Sequence, residues 1–279
     1  MSMIAGEPRR FGVAPSGARL TFETELHEPG PTPRRRLLVL DGEPAFQLSM
    51  WCGTCQFLFR RLEGADGTLS LDSVRERLAV GVSDLDEGIL TAFGLLLPEG
   101  DYLPLLLRVV PRLVTPGQEG DYFSDEQVAT WGPDQFWGLP EHPRTPYYRT
   151  FETVVNDEAH LYEFVVPMVP PLWNDQERVV EYVESMGRGT EPTAVAVSTL
   201  DRCEPAVSPH ATDRYEHWGL THFLLDGHHK LEAAAAARRP VRILSLLAMG
   251  ESLSDCDDQR RLPALRERPH LTRGARPTR

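Results

Sequence analysis

Five consecutive residues, Asp226-Gly-His-His-Lys230, bring together a carboxylate, two imidazoles and an ammonium at one glycine. An apolar run, Gly219–Leu225, delivers the chain to them, and an alanine-rich run, Leu231–Ala237, leads away. This pattern reads as a strand, a tight turn and a helix beginning near Lys230. Glycine reaches backbone angles closed to other residues. The first N–H groups of a helix lack internal acceptors, and its dipole is positive at that end, so the turn is suited to an anion. Lys230 would add a mobile positive charge for phosphate. His228 or His229 could donate to phosphate or move a proton near neutral pH. Asp226 could act as a base or hold Mg²⁺. Asp-Gly is also an ordinary surface turn, so the pentapeptide alone leaves a plain structural reading open.

The second reactive group is Trp51-Cys-Gly-Thr-Cys55. Two residues between Cys52 and Cys55 put both sulfurs on one side of a turn, where they can form a disulfide or share a metal. The five residues resemble a thioredoxin active site, but no thioredoxin sheet follows them. Zinc would need two further ligands, and Cys203, His210 and Cys256 do not stand at a recognised spacing. Thiol chemistry, zinc binding and an incidental pair all remain open. His142 and His160 are isolated and read as ordinary polar residues. Asp84, Asp86 and Glu87 read as a solvated face.

The chain around these groups has 279 residues, 41% hydrophobic and 25% charged, with a net charge of -12. It is long enough to bury a substantial core. The acidic balance argues against nucleic acid and anionic membrane as partners. No apolar run is long enough to span a bilayer, and the first thirty residues lack a signal-peptide core. Four cysteines are too few for a disulfide framework, so the expected compartment is the cytoplasm. Oligomeric state is not readable.

Alternation predicts strands at Ala18–Leu26, Arg36–Leu40 and Phe46–Met50. Gln56–Leu62 reads as a short helix and Ser70–Ala79 as a longer one, with Asp72 as its cap. Tyr102–Val114, broken by Pro104 and Pro111, suggests strands at an edge or entering turns. Thr115–Arg149 is rich in Pro, Gly and aromatic residues. It reads as a long loop that either covers a site or is pinned by buried aromatics. From His160 the pattern is clearer: a strand over Leu161–Val169, a proline turn, an amphipathic helix over Gln176–Met186, and a strand over Thr193–Leu200. After the loop Asp201–Glu216 come the Asp226–Lys230 turn and a last strand, Val241–Leu247. Beyond it, Arg260–Arg279 reads as a solvated arginine-rich end.

The run from Phe164 to Leu247 resembles the ParB/sulfiredoxin superfamily. The resemblance rests on Val165-Val-Pro-Met-Val-Pro-Pro171, Val179-Val-Glu-Tyr-Val-Glu-Ser-Met-Gly187, Pro192-Thr-Ala-Val-Ala-Val-Ser-Thr-Leu-Asp201 and Leu225-Asp-Gly-His-His-Lys-Leu-Glu-Ala233, in that order. Members with Asp-Gly-His-His-Arg resemble the free-serine kinase group. The resemblance implies nucleotide phosphates on Gly227, His228, His229 and Lys230, with Asp226 as acid, base or metal-linked residue. It also implies secondary contacts from Glu184 and Ser185 and an adenine nucleotide, ATP or ADP, with Mg²⁺. Lys230 stands where the family has arginine, and no cysteine occupies the turn, which argues against sulfiredoxin chemistry. ParB-type DNA-binding helices do not follow Leu247.

The expectation is an α/β (α+β) protein in three parts. Residues 1–155 form an α+β region with the cysteine pair. Residues 156–252 form a ParB/sulfiredoxin-like domain, and 253–279 a disordered tail. The implied activity is nucleotide-dependent phosphotransfer to a small molecule. The alternatives are a nucleotide-sensing module without turnover and a thiol-redox or zinc protein using Cys52 and Cys55.

Overall fold

Residues 100–109 are apolar at nearly every position, which suits a strand covered on both faces. In the computed structural model this stretch is β7, one strand in from the edge of a nine-stranded sheet and flanked there by the short strands β1 and β2. The structure describes residues 2–25, 35–51, 54–132, 143–205 and 215–270. Their strands are β1 (Met3–Ala5), β2 (Arg9–Phe11), β3 (Leu20–Glu25), β4 (Arg35–Leu40), β5 (Glu43–Leu48), β6 (Phe59–Arg61), β7 (Gly100–Val109), β8 (Arg112–Val114), β9 (Tyr147–Asn156), β10 (Ala159–Pro167), β11 (Thr193–Cys203), β12 (Glu216–Asp226) and β13 (Val241–Ala248). Their helices are α1 (Arg75–Val80), α2 (Glu87–Gly94), α3 (Glu126–Trp131), α4 (Gln176–Gly187), α5 (His228–Ala237), α6 (Cys256–Arg260) and α7 (Leu262–Arg266). The mixed α/β class expected from the sequence is what the chain adopts. None of these helices is long and apolar enough to cross a membrane.

The large sheet runs β1-β7-β13-β11-β12-β10-β9-β8, with β2 also on β7. The pairs β13·β11 and β12·β10 are parallel, and the other pairs are antiparallel. The first 155 residues thus supply β1, β2, β7, β8 and most of β9 to the same sheet that holds β10–β13. Within the stretch 102–114, β7 is flanked on both sides, while Pro111 stands between β7 and β8, and β8 is an edge strand. Pro104, which has no N–H to give, stands at the break between the segment paired with β1 and the segment paired with β2.

Each face of this sheet has its own core. One face packs under the four-stranded sheet β3-β4-β5-β6 and α2, through Phe46, Phe57, Phe59, Phe93, Tyr122, Phe164 and Phe223. The expected helix over Gln56–Leu62 is instead an extended segment ending in β6. Phe57 and Phe59 alternate into an aromatic cluster with Tyr122, Phe123, Tyr147 and Phe164, a period of two rather than 3.6. Gly219 of β12 carries the Phe57 ring so closely that a Cβ would lie 2.0 Å from it. Within Thr115–Arg149 the aromatics Tyr122, Phe123 and Tyr147 are therefore core residues. Phe136, Trp137 and His142 lie outside the described residues.

The opposite face packs under α4, α5 and α7 through Val179, Met186, Leu231, Ala233, Ala234, Leu262 and Leu265. The disordered tail expected from residue 253 onward is corrected here. α6 and α7 fold over 256–266, because Leu262 and Leu265 bury their side chains under the sheet. Residues 271–279 lie outside the described residues.

Candidate functional site

The Asp226–Lys230 turn joins the end of β12 to α5. Gly227 has φ 98° and ψ 25°, in the left-handed region that a side chain disfavours. A Cβ there would also lie 2.7 Å from that of Ala194 on β11. Both strain and space therefore require glycine. α5 has no side-chain cap at its start, and its first turn closes when Leu231 N donates to Gly227 O. The N–H groups of His228, His229 and Lys230 have no acceptor inside the helix, which is the arrangement an anion can use.

The side chains of the turn are largely committed to the fold. Lys230 is 4% exposed, and its Nζ donates to Thr193 O at 2.9 Å and to Asp226 Oδ2 at 3.0 Å. It is an anchored cation, not a mobile one. Asp226 Oδ1 accepts from the Ser70 hydroxyl at 2.5 Å. Burial works to raise the Asp226 pKa, but Lys230 and the Ser70 hydroxyl outweigh it and hold the carboxyl below its ordinary value. Both of its oxygens are thus occupied in the ionised state.

The two histidines clasp the connection between β10 and α4. Met168 N donates to His228 Nε2 and Asp175 N donates to His229 Nε2, both at 3.1 Å. Asn174 and Gln176 donate to Glu232 one turn further along α5. His228 is buried, which pushes its pKa down to about 4 and keeps it neutral. His229 is half-buried; burial, with Arg178 nearby, lowers its pKa as well. Each Nε2 acts as an acceptor, so in the neutral ring the proton sits on Nδ1.

Four residues join this site without having been read from the sequence. Ser70 reaches Asp226 across 156 positions, so no local signal marks it. Burial lowers the Lys230 pKa against the pull of Asp226, and Arg178 and Arg75 lower it further; burial raises the Tyr182 hydroxyl pKa, and Asp226 adds to that. Arg178 and Tyr182 lie four apart on α4, a spacing that places them on one helix face and was legible. The expected Glu184 and Ser185 form no hydrogen bond or ion pair with the turn. Glu184 is exposed, 3.9 Å from Arg188 at the other end of α4.

Cys52 lies outside the described residues. Cys55 is disulfide-bonded, while Cys203 and Cys256 are free thiols, one buried and one exposed. His210 is also outside the described residues. Among the described residues no group of three or more His, Cys, Asp or Glu could hold a metal ion. His160 is buried and stacks on Tyr215 with ring centroids 4.1 Å apart, so it is a packed residue.

A second buried polar group lies on the helix-covered face of the sheet. Glu163 of β10 and Arg266 of α7 are fully buried and approach to 3.3 Å. Glu163 accepts from the Thr150 hydroxyl, and the Arg266 guanidinium lies 4.4 Å from the centre of the Phe151 ring. None of the three Arg266 guanidinium nitrogens has a hydrogen-bond partner among the described residues. Nearby, His222 Nδ1 contacts the Ser245 hydroxyl at 2.9 Å, which in turn donates to Ser198. Burial pushes the His222 pKa down to about 4.

Against family models, curated proteins and solved structures, the chain finds no match.

Proposed function

We propose that this protein binds the phosphates of an adenine nucleotide at the start of α5 and acts as a phosphotransferase on a small molecule. The observation that carries the reading is the uncapped N-terminus of α5 on a left-handed glycine. The N–H groups of residues 228–230 would receive a phosphate, His229 would donate through Nδ1–H, and Arg178 and Arg75 would supply positive charge. The resemblance to the ParB/sulfiredoxin superfamily supports the same turn. Mg²⁺ would arrive with the nucleotide and neutralise developing charge on the phosphates. Asp226 would approach that ion only by giving up Lys230 or Ser70. Lys230 has the separate task of fixing the strand-to-helix corner.

A second reading, nucleotide sensing without turnover, is favoured by one observation: both Asp226 oxygens are occupied and His228 is neutral and buried. A thiol-redox reading rests on the disulfide at Cys55. Zinc at Cys52 and Cys55 would require that bond to be reduced and two more ligands to be supplied.

Thermal unfolding with ATP or ADP, with and without Mg²⁺, tests the proposal. The expected result is a nucleotide-dependent rise in Tm that shrinks in His229→Ala and Arg178→Ala. Absence of any such rise overturns nucleotide binding. A rise with no phosphorylated product from a panel of small hydroxyl and amino compounds supports the sensing reading. Thiol titration before and after mild oxidation decides the redox reading, which fails if both thiols stay free.

A further inference from the structure

Near the turn, at the same end of the strands of the large sheet, lies a groove of about 600 Å³ lined by Val80, Arg108, Arg188, Gly189, Thr190, Glu191 and Arg242. Three guanidinium groups face one carboxylate there, in a chain whose net charge is -12. The arginines come from three separate places: Arg108 near the end of β7, Arg242 near the start of β13, and Arg188 just after α4. No single helix or strand pattern puts them together.

Glu191 organises two of the three. Arg108 donates Nε and Nη2 to it, and Arg242 Nη2 lies 3.3 Å from its Oε2. These contacts, with the hydrogen bond from Arg242 Nη1 to Val82 O, fix both guanidinium planes. Arg108 Nη1 has no hydrogen bond among the described residues. Arg188 is 71% exposed, and its nearest carboxylate is Glu184 at 3.9 Å, a surface pair worth little. The groove lining therefore has two preset guanidinium groups, one adjustable one, and two more positive than negative side chains, while Glu184 outside the lining pairs loosely with Arg188. An ion-pair network built only for stability would balance its charges; this one does not.

We infer that the groove is a second ligand site, for a small molecule carrying a phosphate monoester. Such a group bears about -1.5 to -2 charge at neutral pH and offers three acceptor oxygens, which matches the surplus and the forked donors. The groove volume exceeds what a bare oxyanion needs, and Val80, an exposed apolar side chain, gives the rest of the molecule a wall. The groove is also tied to the turn by hydrogen bonds. Arg242 holds Val82 O, Val82 N donates to the Thr193 hydroxyl at 3.0 Å, and Thr193 O receives Lys230. Occupancy of the groove thus bears on the corner that sets α5.

Calorimetric titration with phenyl phosphate at constant ionic strength tests this, with succinate as the dicarboxylate control and His229→Ala as the background that disables the turn. The expected result is saturable binding of phenyl phosphate in wild type and in His229→Ala. Arg188→Ala should bind about tenfold more weakly, as for one lost charge-assisted hydrogen bond. Arg188→Lys should fall between the two, keeping the charge and losing the fork. Arg188 holds nothing in the core, so both variants fold. No saturable binding overturns the inference, as does binding unchanged in Arg188→Ala. Binding that disappears in His229→Ala alone belongs to the turn and also overturns it. Succinate binding as tightly as phenyl phosphate overturns the phosphate assignment.

Discussion

Among the buried ion pairs on the large sheet, two differ sharply in their hydrogen bonding. At the turn, Lys230 and Asp226 meet at 3.0 Å, and each has a further partner in Thr193 O or Ser70. Under α7, Glu163 and Arg266 meet at 3.3 Å, and the guanidinium has an aromatic face but no hydrogen-bond partner among the described residues. A buried charge with a full set of hydrogen bonds fixes geometry at modest cost; one without depends almost wholly on its counter-ion. The turn is therefore built for position. Of these two pairs, Glu163–Arg266 leaves the fold more exposed to the loss of a single group.

The largest effect expected is at that pair. Arg266→Met or Glu163→Leu alone leaves a buried charge without its partner and should cost about 3–5 kcal/mol in urea unfolding. The double variant should recover most of that loss. Single variants that unfold like wild type would erase the contrast. Next comes pH. His222 and His228 have folded pKa values pushed down to about 4 from 6.5. The unfolded chain then binds more protons between those values. Each histidine contributes stability that is fully present above pH 6.5 and is lost as pH falls toward 4, on the order of 3 kcal/mol apiece. Urea midpoints at pH 7.5 and pH 5 should differ accordingly, and His222→Asn should flatten the slope; equal midpoints contradict it.

Lys230→Met should cost less than Arg266→Met, about 2–3 kcal/mol, because Asp226 keeps Ser70 and some solvent. An equal or larger loss would reverse the contrast between the two pairs. The smallest effect on stability is expected for His229→Ala, about 1 kcal/mol, since it removes one half-buried acceptor for Asp175 N. Its effect on the nucleotide-dependent Tm should be the larger of its two readouts.

The legible parts of the molecule were those with local causes. Gly227, the alanine run and the β12 apolar stretch announced a strand, a left-handed corner and a helix, and α4 was readable from its apolar face to its closing glycines. Four things were not readable. Gln56–Leu62 carried too few residues to separate a period of two from one of 3.6, and a distant aromatic cluster decided it. Leu262 and Leu265 look like a polar tail's stray apolar residues until the sheet they cover exists. The partners of Asp226 and the histidines come from Ser70, Met168 and Asp175, so the degree to which the turn is already occupied depends on tertiary contacts. The charges of Arg108, Arg188 and Arg242 likewise gather only when β7, β13 and the end of α4 meet.

The position of β7 has a cost measured in time. Its inner edge pairs with β13, from Val109 with Val241 to Tyr102 with Ala248. A ribosome adding about 5–20 residues per second makes roughly 130 residues between the two, so on the order of ten seconds pass before that edge can close. Through that interval a ten-residue, leucine-rich strand has an open side, the kind of edge on which chains pair wrongly with one another. The nascent chain is thus most vulnerable late in its synthesis, after most of its strands have been made and before the one that completes the middle of the sheet.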